Sequence, residues 1–324
     1  MRLTIPTAAL LAALLATPAG LAHATGWTGP TITGLMTEAR LSETSGLAAA
    51  SVRPGTWWTI NDGGNTPELH LVDDKGHRIA SFPVAGVANT DWEDLSAFTL
   101  GGRRYLLIAD TGDNGGIRTE LSLHVVAEPR EVVDGARLPV AWSIRFRWPD
   151  GPRDCEAVAV DAARGDVLLV SKKRVPAELL RLPLRPAEGS PQVAERIGLL
   201  GGIDQPTADD LARNPVYGRY RSQVTAADLS PDGRTLAVLN YRALYLYTRE
   251  RDATWATALR QPERLDFTWM PQAEAIAFSL DGHELRVAGE QTPSPMLRFR
   301  REAKGPDALP PGGNDRGPHA KGSH

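Results

Sequence analysis

Apolar and polar positions along this chain fall into short β-type runs, and the runs recur in a fixed order. Five segments open on a polar residue and continue into small or apolar positions: Glu43 in SETSGLAAA, Glu93 in DWEDLSAF, Glu156 in DCEAVAVD, Thr225 in VTAADLSPDG and Glu274 in QAEAIAFSLDG. Each leads to a glycine turn, at Gly55, Gly102, Gly165, Gly233 and Gly282, after 12, 9, 9, 8 and 8 residues. A β-branched or aromatic run follows each turn: TWWTI, RYLLIA, VLLVS, TLAVLN and ELRVAG. Ser230-Pro231-Asp232-Gly233 and Leu280-Asp281-Gly282 are tight hairpin chemistry, because glycine accepts positive φ and aspartate bonds the local backbone.

Third strands are expected at ELHLV, LSLHVV, ELLRLPL, ALYLYT and MLRFRR, and fourth strands at RIASFPV and WSIRFRW. Four-stranded antiparallel units repeating every roughly 50 to 70 residues are blades of a β-propeller around a central channel. The expected fold is therefore all-β, with five blades. The segment Thr31 to Leu35 could pair with the last blade and close the ring. A sixth, degenerate blade in Glu188 to Arg221 is the alternative, although that stretch lacks the motif and reads as a fourth strand plus a long loop.

Composition narrows the setting. Of 324 residues 42% are hydrophobic, enough for a core, while 31 Gly and 25 Pro supply the turns that such a fold consumes. Residues 1–24 run from a basic start through an apolar stretch to Ala22-His23-Ala24, the form of a cleaved secretory signal without a lipidation cysteine. The expected product is periplasmic or secreted, with a propeller at 25–302 and a disordered Pro/Gly-rich tail at 303–324. No other stretch is apolar enough to span a bilayer. A formal charge of −3 without a basic stripe argues against nucleic acid. The single cysteine, Cys155, excludes an internal disulfide and is read as a small buried residue. The chain is expected to be a monomer.

Propeller geometry then assigns a face. The start of a blade's innermost strand and the end of the next strand share one mouth of the channel, and the glycine turns take the other. Glu43, Glu93, Glu156, Thr225 and Glu274 are thus expected around one mouth. Near them should stand Asn61 and Asp62; Asp110, Asp113 and Asn114; Arg118; Lys172 and Lys173; Arg242; and Glu290. Carboxylates converging on an axis cannot all remain ionised without compensation. Hard oxygen ligands with a hydroxyl favour Ca²⁺ held by the five ring residues. Direct neutralisation by Lys172, Lys173 and Arg242 is the alternative.

At these residues the chain resembles a family of exported bacterial β-propeller proteins of unknown function. The likeness is carried by Ser45-Gly46-Leu47, Trp58 to Asn65, Asp91 to Asp94, Gly112 to Asn114, Asp154 to Ala157, Thr225 to Asp228 and Glu274 to Ile276, and spans about residues 41 to 300. More distantly the ring is similar to that of the calcium-activated apyrases, five-bladed enzymes with an axial Ca²⁺. That resemblance implies ligand roles for Glu93, Glu156, Glu274 and Thr225, whereas Glu43 stands where a hydroxyl would be expected. No matching nucleotide-binding residues are found.

No G-x-S-x-G elbow, H-E-x-x-H pair or phosphate-binding P-loop is present. Two readings remain. In the first, the mouth binds a small anionic ligand or an envelope protein, with Asn61, Asn114, Arg118, Lys172, Lys173, Arg242 and Glu290 as contacts. In the second, a Ca²⁺-dependent hydrolase acts on a phosphoester, nucleotide or lactone, with Asp62, Asp110 or Asp113 as base.

Overall fold

The computed structural model describes residues 26–302, apart from 188, 217, 268, 269 and 271; the expected signal segment and tail lie outside the described residues. Strand β1 (Trp27–Met36) comes first and belongs to the last blade. Blade 1 comprises β2 (Thr44–Ala49), β3 (Thr56–Asn61), β4 (Glu68–Asp73) and β5 (Arg78–Ala85). Blade 2 comprises β6 (Trp92–Leu100), β7 (Arg103–Asp110), β8 (Leu121–Ala127) and β9 (Leu138–Arg147). Blade 3 contains β10 (Ala157–Asp161), β11 (Asp166–Val170) and β12 (Glu178–Pro183), then β14 (Glu195–Leu199). The short β13 (Gln192–Val193) adds in parallel to β9. Blade 4 comprises β15 (Val224–Leu229), β16 (Thr235–Asn240), β17 (Ala243–Thr248) and β18 (Glu263–Asp266). Blade 5 comprises β19 (Ala273–Phe278), β20 (Glu284–Gly289) and β21 (Ser294–Arg301), with β1 as its outer strand.

The innermost strands close a five-membered circle. β2 lies against β6, β6 against β10, β10 against β15, β15 against β19, and β19 against β2. The fold is a five-bladed propeller, and the described residues of 189–221 contribute β13, β14, a connecting loop, the short helix α1 (Ala208–Arg213) and a 3-10 turn at Gly218–Tyr220 rather than a sixth blade. Ring closure is as anticipated, with Thr31 opposite Arg298 and Leu35 opposite Pro295, although the pairing extends over all of β1. The outer strand of blade 4, Glu263–Asp266, had no sequence signal, being only four residues long with Leu265 as its one apolar residue.

Residue size explains where the core sits. The inner strands carry small side chains such as Ala48, Ala157, Ala159, Ala226 and Ala275, all buried, so five strands can crowd one axis. The large apolar residues point sideways and fill the spaces between blades. Trp58, Phe82, Leu106 and Ile108 pack between blades 1 and 2, and Leu107, Phe146, Leu169 and Leu182 between blades 2 and 3. Trp57 and Met36 join blades 5 and 1. Each fully buried side chain of this kind contributes about 1.5–3 kcal/mol. The inner hairpins turn at Gly55, Gly102, Gly165, Gly233 and Gly282, with φ of 69, 74, 72, 70 and 72°, the left-handed region that a side chain disfavours.

Candidate functional site

The site is built on a backbone irregularity repeated at the entrance of the inner strands. In β6 the pairing jumps from Trp92–Asp110 to Asp94–Ala109, leaving Glu93 as the extra residue. The same shift leaves out Thr225 in β15 and Glu274 in β19. In β10 the ladder begins at Ala157–Val170, with Glu156 just before it. A bulge re-aims the side chain it carries, and here it does so at one mouth of the channel.

Blade 1 departs from the sequence expectation. Its shift lies between Thr44 and Leu47, so Ser45 takes the place of Glu93. Glu43 stands two residues earlier, outside the strand and exposed, and its carboxylate accepts from Asn65 Nδ2 at 2.6 Å. The cause is Gly46, whose φ of 120° extends the bulge; a Cβ there would fall 2.7 Å from the backbone N of Leu95. The ring positions are therefore Ser45, Glu93, Glu156, Thr225 and Glu274: three carboxylates and two hydroxyls. Both hydroxyls reach the neighbouring blade, Ser45 Oγ donating to the Glu93 carbonyl and Thr225 Oγ1 to the Ala273 carbonyl, each at 2.6 Å.

Three aspartates complete the acidic cluster: Asp91 and Asp154, which flank ring glutamates, and Asp62. Asp62, Asp91 and Glu93 bring one oxygen each within 4.8 Å of one another, and so do Glu93, Asp154 and Glu156. Glu93 and Glu156 are each only 3% exposed. Close approach of the loops makes this possible. A Cβ on Gly112 would lie 2.2 Å from Glu93 Oε1 and 2.4 Å from the Asp91 carboxylate, and one on Gly63 would lie 2.3 Å from Asp91 Oδ1. Asp91 and Asp154 each precede a ring glutamate by two residues, in D-W-E-D and D-C-E-A, a shared spacing that could have marked them as members.

Electrostatics follow from this crowding. Burial pushes the Glu93 carboxyl well up, with Asp62, Asp91 and Asp154 adding to the rise and Lys172 opposing it. Burial also lifts Asp62 to about 6, partly offset by the N–H of Gly63. Lys172, itself buried, sets its ammonium against Glu156 Oε1, and Lys173 pairs with Asp154 at 2.9 Å. Part of the neutralisation is thus supplied by lysine. The other oxygen, Glu156 Oε2, is buried without a hydrogen-bond partner. On the far side of the ring Tyr241 donates to Glu274 Oε1 at 2.6 Å. Glu290 lies against Glu274, and burial first and that neighbouring carboxylate second push its carboxyl up to about 10.

The remaining expected site residues divide. Asn114 accepts from Lys173 at the mouth. Asp110 is held by Arg118 at 2.7 Å, and Asp113 accepts from the backbone of Ile117 and Arg118. These two aspartates and Arg118 build the loop, which leaves Asp62 as the base candidate. Asn61 Nδ2 is spent on the Arg40 carbonyl. Arg242 holds Asp210, the third residue of α1, which completes a capping box with Thr207, at 2.7 Å. It pins the insertion instead of lining the mouth. Cys155 is fully buried, and its thiol is pushed up to about 12 by burial, which removes it as a nucleophile.

One layer deeper, Asp94 ties the blades together. Its carboxylate accepts from the N–H of Leu95 at 2.8 Å, of Val158 at 2.8 Å and of Ala227 at 3.1 Å, joining β6, β10 and β15 at the axis. Above the ring opens a chamber of about 710 Å³ whose lining includes Asn114, Lys172, Lys173, Tyr241 and residues of the insertion. A second chamber of about 460 Å³ lies at the turn-bearing mouth, beside Asp228 and Arg104.

Fold and site together define a five-bladed propeller with an acidic, lysine-braced ring at its loop-bearing mouth. No protein-family profile and no curated protein matches the sequence. Among solved structures the chain is similar to hydrazine synthase of Kuenenia stuttgartiensis, at 12% identity and a TM-score of 0.40, over 78% of this chain and 70% of that one. It is also similar to a proposed 6-phosphogluconolactonase of Bacteroides uniformis, at 13% identity and a TM-score of 0.38 over 79% of this chain. It spans 66% of the length of that protein. Among the described residues no helix is long and apolar enough to cross a membrane.

Proposed function

We propose that this is an exported propeller that holds a divalent cation, Ca²⁺ by ligand hardness, at the loop-bearing mouth and binds a small anionic ligand above it. One observation carries the reading. Structurally equivalent positions of five blades present only oxygen donors, and within that ring the buried Glu156 Oε2 lacks a partner while two more carboxylates lie alongside. A buried carboxylate oxygen left unpaired costs on the order of 1–3 kcal/mol or more, and a cation among the ring oxygens relieves it. Glu93, Glu156 and Asp154 would hold the ion, with Ser45, Thr225 and Glu274 completing the ring. The donors are all hard oxygens, as Ca²⁺ requires and Zn²⁺ does not favour. Lys172 and Lys173 supply the positive charge that faces an anionic ligand.

Hydrolysis of a phosphoester, nucleotide or lactone is the second reading. It is favoured by Asp62, whose elevated pKa places a carboxyl near the working range of a general base beside the ring. A bound cation would supply Lewis-acid polarisation of the substrate oxygen.

The test is thermal unfolding of chelator-treated protein in Ca²⁺, Mg²⁺ and Zn²⁺, followed by an ester, nucleotide and lactone screen with and without Ca²⁺. The binding reading predicts stabilisation by Ca²⁺ above the other ions. Turnover that requires Ca²⁺ and is lost in Asp62→Asn would move the assignment to the hydrolase. Indifference of the melting point to all three ions would end the cation reading.

A further inference from the structure

The chamber above the ring has a lining chemistry that a simple anion would not use. Its bases, Lys172, Lys173 and Arg221, come from blade 3 and the insertion. Most of the other polar lining is carboxamide: Asn114, Gln223, Gln272 and Gln291. Two phenols, Tyr220 and Tyr241, are added to these; the carboxylates paired with the three bases, Glu156, Asp154 and Asp210, are not among the described lining residues. An amide offers a donor and an acceptor side by side, which suits a hydroxyl group that both gives and takes a hydrogen bond. A phenol ring offers an apolar face with a polar tip.

Blade 5 sharpens the point. Gln272 and Gln291 have φ of 43° and 66°, the only described non-glycine residues with positive φ. Such backbone is strained for a residue with a side chain and persists where surrounding contacts over-determine it. Here Gln291 N donates to the Ser42 carbonyl at 2.7 Å and Glu290 N to the Gln272 carbonyl at 3.0 Å. The side chains form a fixed series: Gln291 Nε2 donates to Gln272 Oε1, and Gln272 Nε2 donates to Glu290 Oε2 at 2.5 Å. Two strained glutamines are thus locked in one orientation on the chamber wall.

We propose that the chamber binds a polyhydroxylated anion, a sugar acid or sugar phosphate. Its acid group lies against Lys172, Lys173 and Arg221, and its hydroxyls lie on the carboxamides. The volume is within the roughly 300–1,000 Å³ of small-molecule sites and accommodates a monosaccharide or disaccharide. The proposal rests on the anion-binding reading of the same mouth and adds the ligand's chemical class.

The experiment is calorimetric titration of the mature protein with glucuronate, gluconate and glucose 6-phosphate, in Ca²⁺ and in chelator. Glucose supplies hydroxyls without charge; acetate and inorganic phosphate supply charge without the polyol. The sugar anions are expected to bind at least about tenfold tighter than any of the three controls. Gln223→Leu and Gln291→Leu should each weaken them about tenfold while leaving the Ca²⁺-dependent melting shift intact. Gln223 lies outside the strained pair, so it decides the matter should Gln291→Leu fail to fold. Equal binding of acetate, phosphate and sugar anions would overturn the proposal, as would unchanged preference in Gln223→Leu. A Ca²⁺ melting shift without sugar-anion preference removes this proposal alone. Sugar-anion binding without any Ca²⁺ effect sustains it and removes the cation.

Discussion

Asp94 offers the sharpest test of how the blades are joined. Its carboxylate is fully buried and accepts three backbone N–H groups, one from its own strand, one from β10 and one from β15. Asp94→Ala leaves all three without that acceptor in a channel too crowded at this depth for easy hydration. At about 1–3 kcal/mol for each unsatisfied donor, the loss is on the order of 3–6 kcal/mol once partial relaxation is allowed. Asp94→Asn can keep its oxygen toward Val158 and Ala227, which share Oδ2, but turns an NH₂ toward Leu95 N, so it should cost about 1–3 kcal/mol. Urea unfolding followed by tryptophan fluorescence reads both values from the midpoints at constant slope. A loss below about 1 kcal/mol in Asp94→Ala would mean that Asp94 does not join three blades, and the reasoning would fail.

Other consequences follow from the same geometry. Glu43→Gln should leave Ca²⁺ affinity nearly unchanged, whereas Glu156→Gln should lower it at least about tenfold; the reverse order in a calcium titration would restore Glu43 to the ring. Gly112→Ala places a methyl against the flexible ends of Glu93 and Asp91, so Ca²⁺ stabilisation should vanish while metal-free stability falls by no more than about 2 kcal/mol, both measurable by melting. Asp228 is raised by burial from 3.8 to about 7, so the folded chain keeps a proton that the unfolded chain has released between those values. Its contribution is complete below pH 4 and is lost as pH rises to about 7, at most about 4 kcal/mol. Urea midpoints at pH 5 and pH 8 should therefore converge in Asp228→Asn, and an unchanged difference would contradict the assignment.

Much of this architecture could be read from residue patterns. The five glycine turns, the β-branched runs after them and the small residues of the inner strands each have a local cause, and all fall where the pattern put them. What the pattern lacked was register. In S-E-T-S-G the only acid is Glu43, and aligning acid with acid placed it in the ring. The bulge at Gly46 shifts the frame by two residues and substitutes Ser45, an effect of backbone conformation and not of residue type. The fates of Arg118 and Arg242 were equally hidden, since their carboxylate partners Asp110 and Asp210 are chosen by loop geometry. Tyr241 and Gln272 carried no motif; they join the site only because neighbouring blades converge there. Asp91 and Asp154 were visible as flanking acids, but the membership of Asp91 depended on the side-chain-free approach of Gly63 and Gly112.

Under the proposed function, five blades deliver oxygen donors to one cation at the loop-bearing mouth. Anomalous diffraction from crystals soaked in a lanthanide, which takes Ca²⁺ positions, locates such an ion directly. One strong peak is expected at the loop-bearing mouth, at bonding distance, about 2.3–2.6 Å, from oxygens of Glu93 and Glu156. No peak there, or a peak confined to the turn-bearing mouth beside Asp228, would contradict it.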